Sequence, residues 1–375
     1  MALKVMTVVG TRPEVIKLSR VIYELDQSTR QILVHTGQNY DHELNEIFFQ
    51  QLDLRKPDHV LTVASDRVAQ TIANIIVSTD KVLETEKPDA FLVLGDTNSC
   101  LSAIAAKRRQ VPVFHLEAGN RCFDERVPEE INRRIIDHIS DINLAYTEHA
   151  RRYLLAEGIR PETVFKIGSP MREVLAFYRP GIDASQILES LRLAPQEYLV
   201  ASVHREENID PEVAFASILH CLNRIAVHFN MRVIVSTHPR TRKRMQESGT
   251  AGLDPRIDFA KPMGFLDYVK LQQSAFCVVS DSGTITEECS ILGFPAVMIR
   301  ETHERPEGVD AGALVMAGLA PDRVVESIEL VTRQVRSGDF AACSVPDYAA
   351  DQVSKKVVRI LLSYTDFVNR RTWRK

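Results

Sequence analysis

Three carboxylates stand where carbon–hydrogen chemistry could use them. Asp96, in Leu94-Gly95-Asp96-Thr97, and Glu117, in His115-Leu116-Glu117-Ala118-Gly119, each follow a short apolar run, and Glu130 opens a helix in Pro128-Glu129-Glu130. Acids at the ends of successive strands and at a helix start can converge in one cleft, where mutual repulsion and burial raise at least one pKa. Such groups suit proton transfer to or from carbon, which needs a base poised near the working pH. Each has a plainer alternative. Asp96 could cap the following helix, and Glu130 with Arg134 could be an i, i+4 surface ion pair.

A second group of residues suits an anion. Gly10-Thr11-Arg12-Pro13-Glu14 turns out of the first strand into a helix, so backbone N–H groups and Arg12 converge, with Lys17 one turn further on. In Ser280-Asp281-Ser282-Gly283-Thr284-Ile285-Thr286-Glu287-Glu288, Ser282, Gly283 and Thr284 sit at a helix N-terminus after a strand, which fits a diphosphate. Glu288, one turn in, could accept hydrogen bonds from ribose hydroxyls. His204 and Arg205 follow one strand and His238 follows the next; either histidine alone is more often a satisfied hydrogen-bonder than a catalyst. The segment from Arg300 to Glu307 is dense in charge, with a solvated loop as its plain alternative. There is no GxGxxG, no GxxxxGK[ST] and no HExxH, so neither a bound dinucleotide, a P-loop nor a catalytic metal is expected, and no cofactor is assigned.

The elements that must carry these residues are strands alternating with longer amphipathic stretches, the pattern of parallel sheets covered on both faces. Strands are predicted at 3–9, 31–35, 90–94, 113–116, 142–146 and 164–167, and again at 198–203, 232–236, 257–259, 275–280 and 296–299. Ligands of open α/β sheets bind beyond the carboxyl ends of the strands, and the polar motifs all fall there. A chain of 375 residues suits two doubly wound domains: 1–170 with the carboxylates and 171–350 with the anion site. The stretch 351–375 is expected to be a helix packing back on the first domain.

A net charge of −4 without a clustered basic excess argues against nucleic acid. Six cysteines without metal-like spacing fit a reducing cytoplasm. The opening MALKVMTVVG lacks the apolar region of a secretion signal, and no apolar run reaches the roughly 18 residues of a membrane span.

Taken in order from residue 10 to residue 308, GTRPEVIK, LGDTNS, HLEAGNR, PEEINRR, VHREEN and SDSGTITEE with HERPEG resemble the non-hydrolysing UDP-N-acetylglucosamine 2-epimerase family. The resemblance implies an α/β fold of the glycosyltransferase-B type, two doubly wound (Rossmann-like) domains facing a central cleft, and a UDP-sugar substrate. It implies that Arg12 and Lys17 line the cleft and that Asp96, Glu117 and Glu130 are the acid/base carboxylates. His204 would lie near the leaving diphosphate, Ser282, Gly283 and Thr284 around the phosphates, Glu288 on the ribose, and Arg205 and His238 in the cleft. It further implies a homodimer.

Departures point to a branch. Gln38-Asn39-Tyr40-Asp41 replaces a segment linked in some members to activation by a second substrate molecule, Asn120 replaces an apolar residue, and Glu206 stands where arginine is frequent. With TGQNYDHELNEIFF and EAGNRCFDERVPEE, these features look like the members acting on UDP-2-acetamido-2,6-dideoxy-L-talose, which yield UDP-N-acetyl-L-fucosamine for surface polysaccharide.

The C2 proton of an N-acetyl-hexosamine has no adjacent carbonyl, so its removal gives no stabilised enolate. Elimination of UDP to a 2-acetamidoglycal, followed by re-addition, is the remaining route. Four alternatives stay open: an epimerase interconverting UDP-GlcNAc and UDP-ManNAc, a glycosyltransferase on the same fold, an epimerase that hydrolyses its substrate, and a non-catalytic UDP-sugar sensor. Which carboxylate is acid and which base is not assigned.

Overall fold

The computed structural model describes residues 2–38, 49–203, 205, 208, 211–237, 244, 252–261, 263–338 and 344–375. The chain divides into two units, Met1–Phe177 with Asp347–Lys375, and Tyr178–Pro346.

Parallel strands covered on both faces read as near-continuous apolar runs, and the strands of the first unit are mostly such runs, interrupted inside the sheet by residues such as Thr7, His115 and Asn143. The strands are β1 (Lys4–Val9), β2 (Arg30–His35), β3 (His59–Val60), β4 (Ala90–Leu94), β5 (Val113–Leu116), β6 (Ile142–Ala145) and β7 (Val164–Lys166). They form an all-parallel sheet in the order β3-β2-β1-β4-β5-β6-β7. Its helices include α1 (Arg12–Ser28), α2 (Val68–Glu86), α3 (Ala103–Arg108), α4 (Pro128–Ile139), α5 (Glu148–Ala156) and α6 (Met171–Asp183). Met6 and Val8 of β1 pack with Ile75 of α2 and Ala106 of α3 in the core of one sheet face.

The second unit repeats the plan. Its strands are β8 (Tyr198–Val203), β9 (Arg232–Thr237), β10 (Ile257–Ala260), β11 (Cys277–Ser280), β12 (Ala296–Met298) and β13 (Val315–Met316). They lie parallel in the order β10-β9-β8-β11-β12-β13. The described helices are α7 (Ile187–Ser190), α8 (Glu212–Phe229), α9 (Phe265–Ser274), α10 (Thr284–Leu292), α11 (Pro306–Asp310) and α12 (Pro321–Ser337), and the chain then returns to the first unit with α13 (Val353–Val368). Along β8, Leu199, Ala201 and Val203 face one core while Tyr198 and Val200 face the other, the period-two alternation of a strand buried on both sides.

The division falls inside α6, not at residue 170, because packing decides it. Glu173 accepts from the Ser354 backbone N–H at 3.0 Å, whereas Tyr178, five residues on, packs edge-on against Phe265 of the second unit. The return begins at Asp347 rather than 351: its carboxylate accepts the Glu148 N–H at 2.8 Å and the Lys166 ammonium at 2.7 Å. From there α13 packs along α1, and Tyr364 meets Phe165 of β7 with ring centroids 4.7 Å apart.

In each sheet the strand order reverses beside the first strand, between β1 and β4 and between β8 and β11. Connections leave such neighbours in opposite directions and open a crevice beyond their carboxyl ends.

Candidate active site

In the first unit the crevice is bordered by the turns after β1, β4 and β5. Gly10 ends the β1 turn, and no other residue fits: a Cβ there would lie 2.4 Å from Thr36 Oγ1 and 2.9 Å from Ser99 Cβ. Glu14 then locks two turns together. Its carboxylate accepts the Gly10 and Thr11 N–H groups at the start of α1 and the hydroxyls of Thr97 and Ser99 after β4. Burial pushes the Glu14 carboxyl up despite those four bonds. Arg12 opens α1 half-buried, with Pro13 in the first turn.

Lys17, one turn further, does not stand apart as an anion ligand. Its ammonium donates to both oxygens of Glu117, at 2.9 and 2.7 Å. Glu117 immediately follows β5 and holds φ at +63°, a left-handed conformation that a non-glycine residue rarely adopts. The Asn120 amide adds a long bond of 3.4 Å to the same carboxylate.

Asp96, after β4, pairs with Arg133 of α4 at 2.6 Å and keeps a quarter of its side chain exposed. It is not the helix cap considered above: the Thr97 side chain accepts from Ser99 N–H and takes that role. Glu130 does form the i, i+4 ion pair with Arg134, at 3.7 Å, but not as a surface group. Its side chain is fully buried. The Cys122 and Phe123 N–H groups donate to it at 3.0 and 3.2 Å, and Arg133 at 2.9 Å. Burial alone would push the Glu130 carboxyl up, but the Cys122 N–H and the Arg133 guanidinium outweigh it and hold the group below its ordinary value.

Arg133 and Asp137 carry no role in the sequence-based assignment, yet each bonds to one of these turns, Arg133 to Asp96 and Asp137 to the Gly119 N–H. Asp137 accepts from His115 Nδ1 at 2.8 Å and from Arg121 at 2.7 Å, all three side chains being buried. The signal that could have found them is their spacing from Glu130, positions i, i+3 and i+7 on one helix face.

In the second unit the corresponding turns follow β8 and β11. Asp281, fully buried, ties them by accepting the Arg205 N–H at 3.0 Å and the Asn208 amide at 3.1 Å. Ser282 and Thr284 share a hydroxyl–hydroxyl bond of 3.0 Å around Gly283, at the N-terminus of α10. Gly283 is required there, since a Cβ would meet Glu304 Oε1 at 2.0 Å. Glu304 is held by Arg300 at 2.8 Å and by Arg205 at 3.3 Å, so the charge-dense 300–307 segment is packed structure rather than a solvated loop. Glu288 accepts from the buried Gln272 amide at 2.7 Å through one oxygen. His204 and His238 lie outside the described residues, as do Asn39, Tyr40, Asp41 and Glu206.

Two doubly wound units, one with acids at its strand ends and one with a hydroxyl-and-glycine helix start, define a nucleotide-sugar-handling α/β protein of the glycosyltransferase-B type. The sequence profile of UDP-N-acetylglucosamine 2-epimerase matches residues 23–362. The UDP-N-acetylglucosamine 2-epimerase of Rickettsia bellii is similar over 100% of both chains, at 54% identity and a TM-score of 0.93. That of Methanocaldococcus jannaschii, solved in complex with UDP-GlcNAc and UDP, shares 31% identity and a TM-score of 0.89 over 96% of this chain and 100% of that one. The UDP-2,3-diacetamido-2,3-dideoxy-D-glucuronate 2-epimerase of Pseudomonas aeruginosa is 36% identical over 87% of this chain and 91% of its own length. The chain belongs to the UDP-N-acetylglucosamine 2-epimerase family and is an isomerase of the UDP-sugar 2-epimerase type.

Proposed function

We propose that this protein inverts C2 of a UDP-N-acetyl-hexosamine without net hydrolysis, and that its substrate is UDP-2-acetamido-2,6-dideoxy-L-talose, the product being UDP-N-acetyl-L-fucosamine for a surface polysaccharide. The observation that carries the C2 chemistry is the pair of carboxylates on neighbouring strand ends, Asp96 held by Arg133 and Glu117 by Lys17. One carboxylate takes the C2 proton as the C1–O bond to UDP breaks; the electron pair forms the C1–C2 double bond of a 2-acetamidoglycal, and UDP leaves with the bonding pair of the C1–O bond. A proton is then delivered to the opposite face of C2 while a UDP oxygen re-forms the bond to C1.

The departing diphosphate gains charge in the transition state and needs preorganised donors. Ser282, Gly283 and Thr284 at the start of α10 supply them in this assignment, with Arg12 and His204, while Glu288 takes the ribose. Arg205 and His238 complete the binding set. Glu130, sealed against Cys122, Phe123 and Arg133, acts on the reaction through Arg133 and the 120–123 turn. The enzyme is proposed to work as a cytoplasmic homodimer.

The 6-deoxy-L-talose assignment rests on EAGNRCFDERVPEE, in which Asn120 brings its amide to Glu117. A second substrate, UDP-GlcNAc interconverting with UDP-ManNAc, is favoured by the name of the Rickettsia bellii relative. Offering each UDP-sugar separately and following C2 by NMR decides between them: inversion of UDP-GlcNAc alone removes the 6-deoxy assignment. In deuterium oxide the product should carry one deuteron at C2, and unlabelled product would exclude elimination.

A further inference from the structure

We propose that Asp137 is a positioning residue that sets the separation of the Asp96 and Glu117 turns; the proposal rests on the proton-transfer roles assigned to those two acids above.

Glu117 is bracketed by Asp137. Two residues before it, His115 donates through Nδ1 to Asp137 Oδ1 at 2.8 Å; two residues after it, the Gly119 N–H lies 3.1 and 3.3 Å from the two oxygens. Arg121 closes the bracket at 2.7 Å and also donates to the Asn120 carbonyl and to both oxygens of Glu157, each at 2.7 Å. A residue held at φ +63° needs its neighbours fixed, and this network fixes them on both sides.

The same imidazole reaches the Asp96 turn. His115 Nε2 donates to the Gly95 carbonyl at 2.8 Å, one residue before Asp96, while the Gly95 N–H donates to the Leu116 carbonyl at 2.9 Å. Both partners of the ring are acceptors, a carboxylate and a carbonyl, so both ring nitrogens are placed to donate. One turn earlier on α4, Arg133 holds Asp96 directly, so residues i and i+4 of one helix gauge the two acids.

A merely structural role would lower stability and leave turnover per folded molecule intact. In Asp137→Asn the carboxamide can no longer accept from His115 and Arg121 as an anion. The expected result is a cooperatively melting protein whose UDP dissociation constant stays within about threefold of wild type. Its kcat should fall by about 10²-fold, the scale of an ångström misplacement, and it should release more glycal and UDP per epimerised product. A folded Asn variant with kcat within about threefold of wild type overturns the proposal.

A measurement on the wild-type protein does not depend on the variant folding. The ¹⁵N NMR signals of the His115 ring should show a proton on both nitrogens, and a bare nitrogen breaks the bracket and overturns the proposal. Wild-type protein inactive on every UDP-N-acetyl-hexosamine would instead end the functional assignment while leaving the ring-nitrogen result standing.

Discussion

Lys17 of α1 donates to both carboxylate oxygens of Glu117, a residue one hundred positions later that follows β5 in a left-handed conformation. The two side chains are 5% and 10% exposed, so the ion pair sits in a poorly solvated place. Breaking such a pair leaves a buried charge behind. Lys17→Ala should therefore lower stability by about 3–5 kcal/mol and kcat by about 10²-fold or more, read by thermal melting and by NMR of the sugar. A variant that loses stability but keeps full turnover would separate the pair from the chemistry.

Asp96 and Glu130 should behave differently although both bind Arg133. Asp96 is partly exposed, so Asp96→Asn should leave the melting temperature nearly unchanged and reduce turnover by about 10²–10⁴-fold. Glu130→Gln removes the acceptor of two buried N–H groups and a guanidinium, so it should lower the melting temperature clearly as well as reduce turnover. Equal melting temperatures in the two variants would contradict this division of roles.

Gly283→Ala tests the nucleotide end. The added Cβ would fall 2.0 Å from a Glu304 oxygen that Arg300 and Arg205 hold, so the carboxylate or the start of α10 must shift. Calorimetric affinity for UDP is expected to drop by about tenfold or more, with little change in the secondary-structure spectrum. Undiminished UDP affinity would place the nucleotide elsewhere.

The acid limb of stability follows from three buried carboxyls. Asp137 and Glu130 are held below their ordinary values: burial opposes this, but His115 and Arg121 outweigh it for Asp137, as the Cys122 N–H and Arg133 do for Glu130. A depressed carboxyl contributes stability above its unfolded pKa, about 4, and loses it as pH falls through the folded value. Glu14, raised by burial, has the opposite sign: its contribution is present below the unfolded value and lost as pH rises through the folded one. Two depressed groups against one raised group predict a melting temperature that declines below about pH 4, with a shallower decline in Glu130→Gln. An identical slope in that variant would show that Glu130 does not carry the effect.

The central strands were legible in the sequence because both sheet faces are covered, which leaves unbroken Val-, Ile- and Leu-rich runs such as Ala90–Leu94 and Tyr198–Val203. The edge strands His59–Val60 and Val315–Met316 were not, since two residues carry no periodicity. Helix α4 departs in part from the usual rule: Glu130, Arg133 and Asp137 are buried beside Asn132 and Ile136, while Ile131 and Ile135 are exposed. Apolar periodicity alone would bury the two exposed isoleucines in place of the charged residues.

What the sequence by itself determined is the kind of the longer elements and which polar residues stand at the ends of the central strands, because local patterning and turn residues are written within a few positions of one another. Tertiary structure alone decided the partners. Lys17 with Glu117, Arg133 with Asp96 and Asp137 with His115 join residues 100, 37 and 22 positions apart, and such pairings exist only once the sheet has placed its strand ends side by side.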